Sequence, residues 1–180
     1  KLKEKAESLY IGDGVNETVQ MGPLINEKAL IKVDGYVQDA KNRFAFKGGG
    51  TMVLAGGILQ EPTEGTYGWF YKPTIFTDVD DNDPLMQEEI FGPVVAVTTF
   101  TGTNEAIWLL NNTKYGLSAA VYTSDINFAM TALDEIETGL VYINTSCIGA
   151  EVHLPFGGLK GTGNGHRDAG QTMIDNCTEW

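Results

Sequence analysis

Gln87-Glu88-Glu89-Ile90-Phe91-Gly92-Pro93-Val94-Val95-Ala96-Val97 sets two adjacent carboxylates and an aromatic ring directly before a Gly-Pro corner and an apolar run. The run Val94-Val95-Ala96-Val97 is rich in β-branched residues and predicts a strand buried on both faces, as a central parallel strand is. Pro93 suits the first position of such a strand, where its missing N–H costs little. The Glu-Glu-Ile-Phe segment then falls at the rim of the sheet. Acidic side chains beside a ring at a strand entrance suit a polar ligand with a flat part, such as a sugar attached to an aromatic base.

On either side of this stretch the chain alternates helical and β-rich segments. Upstream, Leu2, Ala6 and Leu9 have helical spacing up to the stop at Gly12-Asp13-Gly14. Asn26 can cap a helix through about Ala40, with Leu30, Val33 and Val37 on one face. The segment from Arg43 to Gly50 reads as a local elaboration, Thr51 to Ala55 as a short strand, and Gly56 to Gly68 as a loop. Trp69 to Phe76 is β-rich, and Asp78 to Pro84 is an acidic turn. Downstream, Thr103 can cap a helix through Asn111, and Leu117 to Tyr122 is the next strand. Ser124 or Asp125 caps a helix from Ile126 to about Glu137, whose apolar face holds Phe128, Ala132, Leu133 and Ile136. Gly139 to Asn144 is a further strand, and Asp168 to Asn176 a short closing helix. This alternation predicts an α/β fold with a largely parallel sheet flanked by helices. Seven glycines between Gly149 and Gly170 mark backbone that bends tightly or approaches a ligand. The crevice beyond the carboxyl ends of parallel strands is where such sheets bind ligands. The loop from Cys147 to Phe156 is therefore a second candidate region.

The 180 residues suffice for a domain with a proper core, and 42% hydrophobic against 20% charged residues describe an ordinary folded chain. A net charge of −12 repels phosphate backbones and anionic lipid, so no nucleic-acid or membrane partner is expected. No apolar run reaches the length of a membrane span, and Lys1-Leu2-Lys3-Glu4-Lys5 leads no signal peptide. Cys147 and Cys177 are too few for a disulfide scaffold and lack zinc-knuckle spacing. The default location is cytoplasmic, and no metal site is expected. Charged residues open the chain in mid-pattern, so it reads as a piece of a longer protein.

Glu-Glu-Ile-Phe-Gly-Pro-Val resembles the signature of the aldehyde dehydrogenase superfamily. Four further segments match in the family's order: Met21-Gly22-Pro23-Leu24-Ile25, Lys72 to Val79, Asn111 to Leu117, and Pro155-Phe156-Gly157-Gly158-Leu159-Lys160. The match runs from about Ala6 to Trp180 and resembles the C-terminal, catalytic-domain portion. It implies residues 1–158 as a partial catalytic domain, and 159–180 as a Gly-rich segment and short helix returning towards a coenzyme domain.

The resemblance implies oxidation of an aldehyde or semialdehyde to a carboxylic acid, with NAD or NADP as acceptor, through a cysteine thiohemiacetal and thioester. It also implies a homo-oligomer, a dimer or tetramer. By the same resemblance Glu89 holds the ribose of the nicotinamide half, Phe91 packs beside it, and Phe156 lines the pocket where nicotinamide and aldehyde meet. A carboxylate suits that role because it accepts hydrogen bonds from both hydroxyls of a diol. A rim carboxylate paired with a nearby lysine is the structural alternative for Glu89. Cys147, Ile148, Glu151 and His153 lie where the family varies its substrate loop. Arg167-Asp168 resembles the family's Gly-Arg-Glu, which makes Asp168 a candidate proton relay. An acid at a helix N-terminus, favoured by the dipole, is the alternative there.

The family's nucleophilic cysteine and base glutamate precede the region matched by Lys1, and neither Cys147 nor Cys177 takes the nucleophile's place. Loop residues six apart rarely hold hydrogen-bond geometry, which disfavours a Cys147–His153 nucleophile pair. The chain alone is therefore expected to be inactive. A non-catalytic assembly or ligand-binding module derived from the family is the alternative.

Overall fold

In the computed structural model, which describes residues 1–62 and 66–179, the chain forms two units, Lys1–Thr99 and the residues from Phe100 onward. The first begins with α1 (Leu2–Glu7), which buries no residue. The long α2 (Glu27–Lys47) is capped by Asn26, whose side chain accepts the Ala29 N–H at 2.9 Å. Leu30, Val33, Val37 and Ala40 form its buried face, as their spacing predicts. The helix continues past the expected end near Ala40, so Arg43 to Lys47, read as part of a local elaboration, form its last turns. It stops at Gly48, whose φ of 72° lies where a Cβ is unfavourable.

There follow β1 (Thr51–Leu54), β2 (Gly57–Leu59), β3 (Phe70–Lys72), β4 (Thr74–Thr77), the single-turn α3 (Pro84–Gln87) and β5 (Val94–Ala96). The segment expected as a loop from Gly56 to Gly68 thus contains β2, and its positions 63–65 lie outside the described residues. Pro73 separates β3 from β4, because it cannot donate to a ladder. β4 lies between β1, antiparallel, and β5, parallel, while β2 pairs antiparallel with β3. The α2 face closes over Tyr71, Phe76, Val79, Leu85 and Ile90 to make one apolar core. Each fully buried valine or phenylalanine there contributes about 1.5–3 kcal/mol of transfer free energy. The expectation that the Val94 strand is buried on both faces is corrected. β5 ends its sheet, and Val95 is 44% exposed.

The second unit contains α4 (Thr103–Asn111), β6 (Tyr115–Gly116), β7 (Ser118–Val121), α5 (Ile126–Glu135), β8 (Leu140–Ile143), β9 (Leu159–Lys160) and α6 (Gly170–Cys177). Thr103 is the first residue of α4 and not its cap; that position belongs to Gly102. Asp125 caps α5, accepting the Asn127 N–H at 2.9 Å. α5 is the crossover between β7 and β8, which pair in parallel from Ser118–Leu140 to Val121–Ile143. Ala132 and Ile136 face the core as expected, but Leu133 is 45% exposed and Ala129 is buried instead. β6 and β9 pair antiparallel. Both units are thus α/β, with a parallel pair in each. Among the described residues no helix is long and apolar enough to cross a membrane.

Candidate functional site

The Glu88-Glu89-Ile90-Phe91 corner sits where α3 turns into β5, and α2 holds it from alongside. Asp83 caps α3 by accepting the Leu85 N–H at 2.9 Å. Arg43 of α2 meets the same carboxylate in a fork, with Nε 3.1 Å from Oδ2 and Nη2 2.9 Å from Oδ1. Two turns back along α2, the Tyr36 hydroxyl donates to the Glu88 carboxylate. One further turn back, Lys32 Nζ donates to the backbone carbonyl of Glu89 at 2.8 Å. Positions 32, 36 and 43 fall on one stripe of the helix. Ile90 is buried in the core beneath. Gly92 lies so close to Val33 that a Cβ built there would be 2.4 Å from Val33 Cγ2.

With Ile90 buried and Gly92 pressed on α2, the side chains of Glu89 and Phe91 are left facing solvent. Phe91 is 75% exposed and has a φ of 59°. A left-handed backbone costs a non-glycine residue about 1–3 kcal/mol, a strain that persists only where the surroundings enforce it. Among the described residues the Glu89 carboxylate has no hydrogen bond and no ion pair. The one lysine that reaches this residue, Lys32, takes its carbonyl. An open carboxylate beside an exposed ring can accept two adjacent hydroxyls and cover a flat group. Among the described residues no cluster of three His, Cys, Asp or Glu side chains could hold a metal ion.

In the second unit, β8 runs into the loop that ends at Phe156. Asn144, with a φ of 56°, fixes the strand's end by exchanging two 2.8 Å hydrogen bonds with the backbone of Thr123. The Tyr142 hydroxyl donates to the Gly149 carbonyl at 2.6 Å and draws the loop back over the strand. Loop and strand border an open recess of about 500 Å³, lined by Leu140, Tyr142, Ile148, Glu151, Leu154 and Phe156 among others. Ile148 and Phe156 are thus brought to one recess. Cys147 is an exposed free thiol outside that lining. His153 lies 4.0 Å from Glu151, and no hydrogen bond joins it to Cys147 among the described residues.

Asp168 is exposed, and its backbone exchanges hydrogen bonds of 2.6 and 2.7 Å with Phe156. It stands two residues ahead of α6, so it precedes the helix rather than forming its first turn. Some glycines of this region approach main chain: a Cβ on Gly163 would fall 2.1 Å from the Gly158 carbonyl oxygen, whereas Gly149 and Gly165 face open space. A Cβ on Gly139 would fall 1.6 Å from the Gly157 carbonyl oxygen. Sequence reasoning singled out neither Lys32 nor Tyr36, and it left Arg43 in a segment read as a local elaboration. Their helical spacing was visible, but their partners lie 57, 52 and 40 residues away.

The chain matches the model of the aldehyde dehydrogenase family over residues 1–180. It is 36% identical over 179 residues to a benzaldehyde dehydrogenase (NAD+) of Pseudomonas putida, covering 99% of this chain and 34% of that protein. A betaine aldehyde dehydrogenase of Sinorhizobium fredii is 39% identical over 180 residues, with 99% and 35% covered. Among solved structures, betaine aldehyde dehydrogenase from Staphylococcus aureus in complex with NAD+ superposes with a TM-score of 0.86 at 32% identity. That likeness covers 97% of this chain and 33% of that one. The chain spans about a third of the length of the curated relatives it matches.

Proposed function

Because the chain belongs to the aldehyde dehydrogenase family, we propose that it is the C-terminal portion of an NAD- or NADP-dependent enzyme that oxidises an aldehyde to a carboxylic acid. In this reading Glu89 accepts the two ribose hydroxyls of the nicotinamide half, and Phe91 lies against the same group. Ile148 and Phe156 meet the carbon chain of the aldehyde or semialdehyde, with Cys147 on the outer side of that loop. Asp168, tied to Phe156 through its backbone, is the candidate for passing a proton to solvent. A bound nicotinamide coenzyme would supply the hydride acceptor. The thiolate that forms the thiohemiacetal and the glutamate that activates water belong to the rest of the enzyme. We take the enzyme to be a cytoplasmic homo-oligomer.

The single observation that carries the reading is the unpaired Glu89 carboxylate beside the exposed, left-handed Phe91. An unpaired acid on a corner held this firmly is suited to a ligand rather than to holding the fold. The test is Glu89→Gln in the intact enzyme. Hydrogen bonds to a charged acceptor are worth about 1.5–3 kcal/mol each, so coenzyme affinity, read by NADH fluorescence titration, should fall roughly tenfold or more. Unchanged affinity would remove Glu89 from the coenzyme site.

A further inference from the structure

We propose that Lys32 and Tyr36 are positioning residues for the coenzyme ribose, acting through the backbone of the Glu88-Glu89 corner. The inference rests on the reading of Glu89 given above and adds to it what holds that carboxylate in place. Lys32 Nζ is 2.8 Å from the Glu89 carbonyl, while the Glu89 carboxylate has no hydrogen bond or ion pair among the described residues. The ammonium therefore fixes the peptide plane on which the carboxylate is mounted and leaves the carboxylate itself open.

On the other side of that peptide, Ile90 is only 9% exposed within the core. Glu89 is thus held between a cation at the surface and an apolar anchor beneath. One residue earlier, the Tyr36 hydroxyl holds the Glu88 carboxylate. That bond keeps a second acid, next in sequence, turned towards α2. Lys32 Nζ also stands 5.8 Å from the centre of the Tyr36 ring, so the two side chains brace each other one helical turn apart.

A structural purpose alone explains this arrangement poorly. Lys32 is exposed and lies outside the core, and the core beneath is complete without it. What its bond does is restrict one residue's backbone. Without it, binding would have to order that backbone at the moment the ligand arrives, a cost that weakens affinity about five- to tenfold.

The experiment uses the intact enzyme with Lys32→Met, Lys32→Arg, Tyr36→Phe and Glu89→Gln. NADH affinity, KM for both substrates and thermal midpoint are measured for each. Lys32→Met is expected to weaken coenzyme binding about fivefold, with the aldehyde KM within about twofold and the melting temperature nearly unmoved. Lys32→Arg should retain most of the affinity, and Tyr36→Phe should weaken it in the same direction by less. Because Lys32 acts through Glu89, adding Lys32→Met to Glu89→Gln should cost little more than Glu89→Gln alone. A Lys32→Met enzyme with a lowered melting temperature and unchanged coenzyme affinity would overturn the proposal, as would losses that multiply fully in the double variant. If Glu89→Gln weakens binding and Lys32→Met does not, only this inference fails. If Glu89→Gln changes nothing, the ribose reading fails and takes this one with it.

Discussion

Replacing Gly92 by alanine is a demanding test of how the corner is built. The new Cβ would lie 2.4 Å from Val33 Cγ2 and 2.8 Å from Cγ1. Carbon atoms rest at about 3.5–4.0 Å, so roughly an ångström of displacement is needed. Val33 has nowhere to take it up. It is fully buried, β-branched, and set in the middle of α2 between Leu30 and Val37. The movement must therefore fall on the corner, which shifts away from α2 and stretches the Lys32 bond to Glu89. Overpacking of this kind costs about 1–3 kcal/mol, or a few degrees in melting temperature for a chain of this size.

Urea titration followed by tryptophan fluorescence measures the cost, and a cycle with Val33→Ala isolates its cause. Truncating Val33 removes both of the atoms that clash. Gly92→Ala on that background should therefore be at least about 1 kcal/mol less damaging than on the parent. NADH affinity should fall with Gly92→Ala and recover in part in the double variant. Additive effects within about 0.5 kcal/mol would show that Gly92 does not touch Val33 in solution, and the account of the corner would fail with it.

Two further outcomes are expected. Burial, reinforced by the Asp34 carboxylate that accepts the Tyr71 hydroxyl at 3.0 Å, pushes the Tyr71 phenol well above its usual 10.0. The unfolded chain releases this proton near pH 10 while the folded one keeps it, so the associated stability is intact below that pH. It should decline above it by up to about 1.4 kcal/mol per pH unit, and Tyr71→Phe should flatten the slope in urea titrations between pH 9 and about 11. Asp83→Ala removes the α3 cap and the partner of Arg43 together and should destabilise by about 1–3 kcal/mol. Asp83→Asn keeps the cap and should lose less, as thermal melts would show.

The sequence carried the local physics well. Asn26 and Asp125 cap the helices their side chains suit, and the spacing of Leu30, Val33 and Val37 marked the face of α2 that is buried. Trp69 to Phe76 was read as one β-rich stretch, which Pro73 divides into β3 and β4. What could not be read was whatever depends on distant partners. Val94-Val95-Ala96 has the composition of a strand buried on both sides, yet only its neighbours in the sheet determine burial, and β5 is the last strand. Arg43 was read into a local elaboration running to Gly50, and its fork on Asp83 spans 40 residues. The same holds at the site. Glu89 and Phe91 were visible as an acid beside a ring, because only Ile90 separates them in sequence. The helix stripe that holds them was invisible, because nothing in Lys32 or Tyr36 names a partner more than 50 residues on. The glycines after β8 were read as backbone that bends tightly or approaches a ligand, and at Gly157 and Gly163 main chain meets main chain.

The outer position of β5 has a practical consequence for anyone handling this polypeptide. A terminal strand offers unsatisfied amides and carbonyls, and Val95 beside them lies in an apolar recess of about 250 Å³ with Leu2, Leu9, Pro73, Ile75 and Pro93. Such a margin is sticky towards extended segments of other molecules. A charge of −12 keeps the molecules apart at low ionic strength, and added salt removes that protection. Purified alone, the polypeptide should scatter light increasingly as sodium chloride is raised. A lysine in place of Val95 should delay that clouding.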